Sequence, residues 1–77
     1  MYSKEERMRF AIRVKGLCEE RNITPKELSA AIGIPNALMS EYLHGRRTPS
    51  GENFINMANY FGFTFEEFYD YTLEGDD

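Results

Sequence analysis

The sequence predicts an all-α fold, a compact bundle of five short helices. Three Ser/Thr-x-x-Glu patterns, which begin at Ser3, Thr24 and Thr64, can each satisfy the free N–H groups of a helix start. Apolar residues recur at spacings of three and four after these starts, as in helices that bury one face. No stretch alternates apolar and polar residues for long enough to predict a strand. We therefore expect the 77 residues to form one helical domain.

Residues that end helices separate the five predicted segments. Asn22, Gly33, Gly45 and Gly62 can adopt the left-handed conformation in which helices commonly end. We predict helices over about residues 4–20, 25–32, 36–44, 51–61 and 65–72, with an acidic tail over 74–77. The residues expected to face the core of the first four helices are Phe10, Val14, Leu17, Leu28, Ser29, Ile34, Met39, Tyr42, Phe54, Ile55, Met57, Ala58 and Phe61.

Residues 24–45 have the spacing of two helices joined by a tight turn. The small Ser29 allows the helices to cross closely, and Gly33 supplies the positive φ that the turn requires. Ile34, Met39 and Tyr42 then give the second helix of the pair an inner face. This arrangement is typical of a helix-turn-helix, a motif that places its second helix in the major groove of DNA.

Charge is divided unevenly along the chain. The formal net charge is −4, yet residues 1–50 hold all nine Lys and Arg residues together with six acidic residues. Residues 51–77 hold seven acidic residues and no Lys or Arg. A phosphate backbone attracts the first part and repels the second, so we expect the first part to face a nucleic acid.

Other classes of function find little support in the sequence. Cys18 has no second cysteine with which to pair, and His44 lacks neighbours at metal-ligand spacing. Glu66 and Glu67 are adjacent residues that point apart on a helix, and no nucleophile stands beside a base. No apolar run approaches the ~18 residues of a membrane span. We therefore expect a cytoplasmic protein without catalytic activity, membrane association, metal, cofactor or small-molecule ligand.

These motifs together resemble the Cro and phage-repressor type of helix-turn-helix family, also called the XRE family. The matching text over residues 23–50 reads I-T-P-K-E-L-S-A-A-I-G-I-P-N-A-L-M-S-E-Y-L-H-G-R-R-T-P-S. Further anchors follow at the family's spacing in Glu52-Asn53-Phe54, Met57-Ala58, Phe61-Gly62-Phe63-Thr64 and Glu67-Phe68. The resemblance covers about residues 7–70. It implies a lambda-repressor-like DNA-binding domain that regulates transcription by docking its third helix in the major groove.

The resemblance assigns two sets of contacts with double-stranded DNA. Contacts with base edges are implied for Asn36, Ala37, Ser40 and Glu41. An asparagine can pair with adenine and an alanine can touch the thymine methyl group, so this surface favours a site rich in A·T pairs. Contacts with phosphates are implied for Thr24, Lys26, Arg46, Arg47 and Thr48.

The chain departs from the family pattern at Pro25. Family members often carry a glutamine there, which binds phosphate and holds a recognition side chain, and proline can do neither. The base-contact positions also lack Arg, Lys and Gln. These departures and the acidic net charge leave an alternative function open, a protein-interaction module or antirepressor with little affinity for DNA. The salt dependence of DNA binding separates the two functions.

The fifth helix is the candidate surface of a homodimer. Six Phe and five Tyr are more aromatic side chains than a domain of this size easily buries. The surplus is assigned to Phe65, Phe68, Tyr69 and Tyr71. A homodimer would read two half-sites about one helical turn apart. Both a stand-alone regulator of phage or mobile-element type and the N-terminal domain of a longer repressor fit the sequence.

Overall fold

Five α-helices and a terminal π-helical segment make up the structure, a computed structural model that describes residues 2–74. The helices are α1 (Lys4–Arg21), α2 (Pro25–Ile32), α3 (Asn36–Leu43), α4 (Gly51–Phe61) and α5 (Phe65–Tyr69), and the π-helical segment is Asp70–Glu74. Residues 2–74 contain no β-strand, and the predicted all-α fold is confirmed. Of the acidic tail predicted over 74–77, only Glu74 lies within the described residues.

Side-chain caps begin four of these helices. Ser3, Thr24 and Thr64 each form the predicted capping box, in which hydroxyl and glutamate accept from each other's backbone N–H groups. At Thr24 these two bonds measure 3.0 and 2.8 Å. Ser50 caps α4 by accepting from the N–H of Asn53 at 3.2 Å. Each cap satisfies N–H groups that a helix leaves free, and so determines where the helix starts.

Left-handed residues end α1, α2 and α4. Asn22, Gly33 and Gly62 have φ angles of 61°, 76° and 86°. The third helix ends at Leu43, one residue before its predicted end, and Gly45 follows with a φ of 72°. Local sequence therefore determines the helix boundaries up to residue 62.

An aromatic cluster forms the centre of the core. The rings of Phe54 and Phe68 lie 4.9 Å apart between centroids, and Phe10 lies 6.1 and 6.2 Å from them. The Phe10–Phe54 pair is stacked, the Phe10–Phe68 pair is edge-on and the Phe54–Phe68 pair is tilted, and such offset arrangements are favourable at these distances. The other buried apolar side chains come from α1 to α4 and from the π-helical segment: Ala11, Val14, Leu17, Cys18, Leu28, Met39, Tyr42, Leu43, Met57, Ala58, Phe61 and Leu73.

The structure corrects the predicted burial of two residues. Ile55, predicted for the core, is 45% exposed because it lies outside the stripe that Phe54, Met57 and Phe61 form on α4. Phe68, predicted for the dimer surface, is 0% exposed because it occupies the inner face of α5. Phe68 is therefore a core residue.

The end of the chain belongs to the core as well. The helix predicted over residues 65–72 is α-helical only to Tyr69, and a π-helical turn replaces its last part. This turn buries Thr72 and Leu73. The Thr72 hydroxyl donates to the carbonyl of Phe68 at 2.7 Å, so its polar group is satisfied inside the protein.

Two arginines of α1 hold this terminal segment. Arg9 donates from its guanidinium to the carbonyl of Leu73 at 2.6 Å. The guanidinium of Arg13 lies 5.2 Å from the centre of the Tyr71 ring, a cation–π contact. These side chains stabilise the packing of the segment against α1.

Candidate nucleic-acid interface

The helices α2 and α3 form the predicted helix-turn-helix. Leu28 and Ser29 of α2 are buried, as are Met39 and Tyr42 of α3. The N–H of Ile34 donates to the carbonyl of Ser29 at 3.0 Å and closes the turn between the helices. Because the inner faces pack against each other and the core, the opposite face of α3 lies in solvent.

That outer face carries the residues predicted to contact bases. Asn36, Ala37 and Ser40 are exposed, and Glu41 is half-exposed. Spacings of three and four residues place these side chains next to one another on a helix. The structure thus brings the four residues together on one surface that a duplex can reach.

Ser29 connects the buried side of α2 to this surface. Its hydroxyl lies 2.5 Å from the side-chain oxygen of Asn36 and 2.8 Å from the carbonyl of Lys26, and its single proton is shared between these two acceptors. The contact holds the Asn36 amide by its oxygen and leaves the amide hydrogens free to donate. The sequence indicated only that Ser29 is small, whereas the role of its hydroxyl depends on contact with Asn36 on the next helix.

A shallow cleft of about 190 Å³ separates the start of α2 from α3. It is lined by Pro25, Lys26, Asn36, Met39, Ser40, Leu43 and His44. The Lys26 side chain is exposed at its rim, where the N-terminus of α2 adds partial positive charge. Thr24 accepts from Glu27 in the capping box, which leaves its own hydroxyl proton free to donate to an anion.

His44 closes the cleft at the end of α3. Its Nδ1 lies 2.7 Å from the carbonyl of Ser40 and 3.3 Å from the Ser40 hydroxyl. A bond to a carbonyl requires a proton on Nδ1, so Nε2 is the nitrogen that remains for another partner. The imidazole therefore interacts with the carbonyl end of the helix, as expected at a helix C-terminus.

The loop after α3 holds the two arginines predicted to bind phosphate. The Arg46 guanidinium forms an ion pair with the Glu41 carboxylate at 3.3 Å. The backbone N–H of Arg46 donates to the backbone carbonyl of Glu41 at 3.0 Å. This pair partly compensates the charge of Arg46 and turns Glu41 toward the loop. Arg47 is exposed next to it, and Thr48 is half-buried. Arg47 is thus the better placed of the two arginines to bind a phosphate.

Arg7 of α1 holds this loop in position. Its Nε donates to the carbonyl of Gly45 at 3.0 Å, and another guanidinium nitrogen lies 3.4 Å from the carbonyl of Tyr2. Gly45 is buried beneath Met8, and a Cβ atom at Gly45 would overlap the Met8 sulfur. The close packing leaves the loop little freedom to move relative to α3.

The remaining residues of the predicted dimer surface stay accessible. Phe65 is 51% exposed, and Tyr69 and Tyr71 are half-buried. The Phe65 ring lies 5.2 Å from that of Phe54 and 6.2 Å from that of Tyr69, so one side of it packs and the other faces solvent.

The buried pairing of α2 with α3, with the outer face of α3 left free, is that of a DNA-binding helix-turn-helix domain. A family model described as Helix-turn-helix matches residues 14–68. The chain therefore belongs to this family, of the XRE and Cro type that the sequence predicts, and is a DNA-binding helix-turn-helix regulator. The comparison with curated proteins finds no match, and neither does the comparison with solved structures.

Two features are absent from residues 2–74. Over this range no helix combines the length and the apolar character that crossing a bilayer requires. The same residues contain no group of three or more His, Cys, Asp or Glu side chains arranged to hold a metal ion.

Proposed function

We propose that this protein is a cytoplasmic transcriptional repressor of phage or mobile-element type that binds a specific DNA sequence as a homodimer. In this proposal α3 enters the major groove, and the bound dimer blocks access of polymerase to a promoter. The observation that carries it is the free outer face of α3, which presents four side chains beside the loop that holds the exposed Arg46 and Arg47.

Direct reading of bases is assigned to Asn36, Ala37, Ser40 and Glu41. Because Ser29 engages the oxygen of the Asn36 amide, we expect Asn36 to donate from its nitrogen to an acceptor on a base edge. Ala37 offers a methyl group to thymine, and the Ser40 hydroxyl can donate or accept.

Phosphate contacts are assigned to both ends of the motif. Thr24 and Lys26 lie at the start of α2, where backbone N–H groups also favour an anion. Arg46, Arg47 and Thr48 lie in the loop after α3. These two groups of phosphate contacts, one on each side of the groove, are expected to orient α3 without adding a preference for particular bases.

The second subunit is proposed to contact the exposed part of Phe65 together with Tyr69 and Tyr71. A large apolar side chain that is half exposed is a common element of protein–protein contacts. Two copies related by a two-fold axis would place their α3 helices at half-sites about 34 Å apart, or a multiple of that distance.

The experiment that tests this function is a selection of bound sequences. The protein is incubated at moderate salt with sheared DNA from its source genome, and the retained fragments are sequenced. A pseudo-palindrome near a promoter supports the proposal. Retention equal to that of the triple variant Lys26→Ala, Arg46→Ala, Arg47→Ala would contradict it, since that variant lacks the proposed phosphate contacts.

A second candidate function is a protein-interaction module or antirepressor with little affinity for DNA. The Arg46–Glu41 ion pair favours it, because an arginine paired with a carboxylate attracts phosphate less strongly than a free one. Titration of any duplex at several salt concentrations discriminates between the two. A repressor loses affinity steeply as salt rises, and an interaction module has little affinity to lose.

A further inference from the structure

Two shallow grooves of opposite charge lie on the outside of α1 and α5. The α1 groove, of about 560 Å³, is lined by Lys4, Glu5, Met8, Arg9, Ile12 and Arg13. Met8 is 41% and Ile12 is 62% exposed, so the floor of this groove is apolar and its rim is mainly basic.

The α5 groove has the same construction with the opposite sign. It has a volume of about 390 Å³ and is lined by Phe65, Glu66, Tyr69 and Asp70. Two aromatic rings form its apolar part, and two exposed carboxylates form its rim. An apolar floor with a basic rim thus has a matching counterpart elsewhere on the same molecule.

The two grooves border each other along one seam of the fold. Arg9 and Arg13 line the α1 groove and also contact Leu73 and Tyr71 of the segment that continues α5. At the start of the chain, burial raises the pKa of Tyr2, and nearby Tyr69 raises it further. Because these contacts join α1 to the segment that follows the α5 groove, the two grooves are neighbours on the fold and together make one candidate surface.

We propose that this surface is the homodimer interface, in which the α1 groove of each copy contacts the α5 groove of the other. This inference rests on the homodimer of the proposed function and specifies its geometry. A two-fold axis through the seam makes both contacts at once, because a symmetric interface requires one patch that is complementary to itself. Each apolar floor meets an apolar counterpart, and each basic rim meets an acidic one.

Charge argues against the simpler alternative in which α5 pairs with α5. That arrangement would bring Glu66 and Asp70 of one copy toward the same carboxylates of the other, and like charges in an interface are unfavourable. It would also leave Met8 and Ile12 exposed. The reciprocal arrangement removes both difficulties.

The test is a charge exchange followed by sedimentation equilibrium of the free protein. Lys4→Glu removes the excess of basic residues from the α1 groove, and Glu66→Lys removes the excess of acidic residues from the α5 groove, so each variant loses complementarity. We expect each to weaken its own homodimer about tenfold, since every substitution acts at two equivalent contacts. A mixture of the two variants regains complementarity at both contacts, and so forms a heterodimer about as stable as the parent homodimer.

Matched controls carry the same charge changes outside the grooves. Lys15→Glu on α1 and Glu52→Lys on α4 are exposed and line neither groove. They should leave the dimer dissociation constant within about twofold of the parent. Pairing of α5 with α5 predicts instead that Lys4→Glu behaves like these controls, and that result would overturn the proposal.

A second pair of variants tests the apolar floor. Ile12→Glu places a carboxylate in the α1 groove and should weaken the dimer at least tenfold, while Ile55→Glu makes the same change at an exposed isoleucine elsewhere. Two outcomes would refute the interface. One is an equal effect of Ile12→Glu and Ile55→Glu on the dimer dissociation constant, and the other is a parent protein that is still monomeric at about 100 μM, a concentration at which specific association should be detectable. Because no DNA is present, failure of DNA binding cannot be mistaken for failure of this interface.

Discussion

The Ser29 hydroxyl lies 2.5 Å from the side-chain oxygen of Asn36, and so joins a buried residue of α2 to the outer face of α3. In many members of the family a glutamine at the start of the second helix holds a recognition side chain. Pro25 occupies that position here and has no group with which to do so. Instead, the hydroxyl of Ser29 holds the recognition side chain Asn36 at the point where α2 and α3 cross.

Ser29→Ala is expected to change base preference at a single position. Without the hydroxyl, the Asn36 amide loses the contact that orients it, so relative affinity for adenine at the contacted base should fall about fivefold. Competition binding on duplexes that differ at one base pair measures this. The double variant with Asn36→Ala is the control, and a preference that Ser29→Ala still shifts in that background would contradict the assignment.

Glu41→Gln is expected to strengthen binding to every duplex. The substitution removes a negative charge from the DNA-facing surface and releases Arg46 from its ion pair. Affinity should rise about three- to tenfold, and the salt dependence should steepen by about one phosphate contact. Glu52→Gln, on α4, supplies a control of equal charge change. Equal affinities for the parent and Glu41→Gln would mean that this face does not meet phosphate.

Gly45→Ala is expected to destabilise the domain by about 2–3 kcal/mol. A left-handed conformation costs a residue with a Cβ atom about 1 kcal/mol, and overlap with the Met8 sulfur adds to this. Gly33→Ala is the matched control, because its φ is also positive and no atom lies near its added Cβ. Urea unfolding should therefore show a clearly larger loss at Gly45, part of which Met8→Ala recovers.

Leu73→Ala is expected to lower the free energy of unfolding by about 2 kcal/mol or more, as for other buried leucines. In the sequence Leu73 lies between the predicted fifth helix and the predicted acidic tail, whereas in the structure it packs against α1. Ile55→Ala, at an exposed site outside the proposed dimer interface, should cost far less. Thermal unfolding of both variants gives the comparison, and equal melting temperatures would show that the π-helical segment contributes little to stability.

Cys18 is expected to react slowly with iodoacetamide while the protein is folded. Burial raises the pKa of its thiol above the ordinary 9.0, and Glu19 raises it further, so the reactive thiolate is scarce at neutral pH. Because the pKa is raised only in the folded state, ionisation favours the unfolded chain, and stability should fall as pH rises above about 9. Labelling as fast in buffer as in concentrated urea would contradict this.

Features set by neighbouring residues were predictable from the sequence. A capping box spans four residues, so Thr24 with Glu27 and Thr64 with Glu67 mark helix starts without knowledge of the rest of the chain. Gly33 likewise marks a turn by itself. The helix-turn-helix follows from these local features together with the apolar spacing between them, which is why its boundaries agree with the structure to within one residue.

Features that depend on contacts between residues distant in the sequence were not predictable from it. Phe65 and Phe68 are equally apolar, and only the packing of α5 on Phe10 and Phe54 decides which of them is buried. The bond between Arg9 and Leu73 joins residues at opposite ends of the chain, and no local pattern indicates it. Of the proposed site, sequence located the outer face of α3 but not the Ser29 contact that orients its first residue.

The unequal charge of the two parts of the chain has a consequence for the speed of the search for DNA. Lys26, Arg46 and Arg47 lie beside the outer face of α3, whereas residues 51–74 carry only acidic charges, so the charge of the molecule is unevenly distributed and the field of a duplex exerts a torque on it. During an encounter the basic side would turn toward the phosphates before contact. Fewer collisions would then be lost to wrong orientations, even though the net charge of −4 opposes the approach itself.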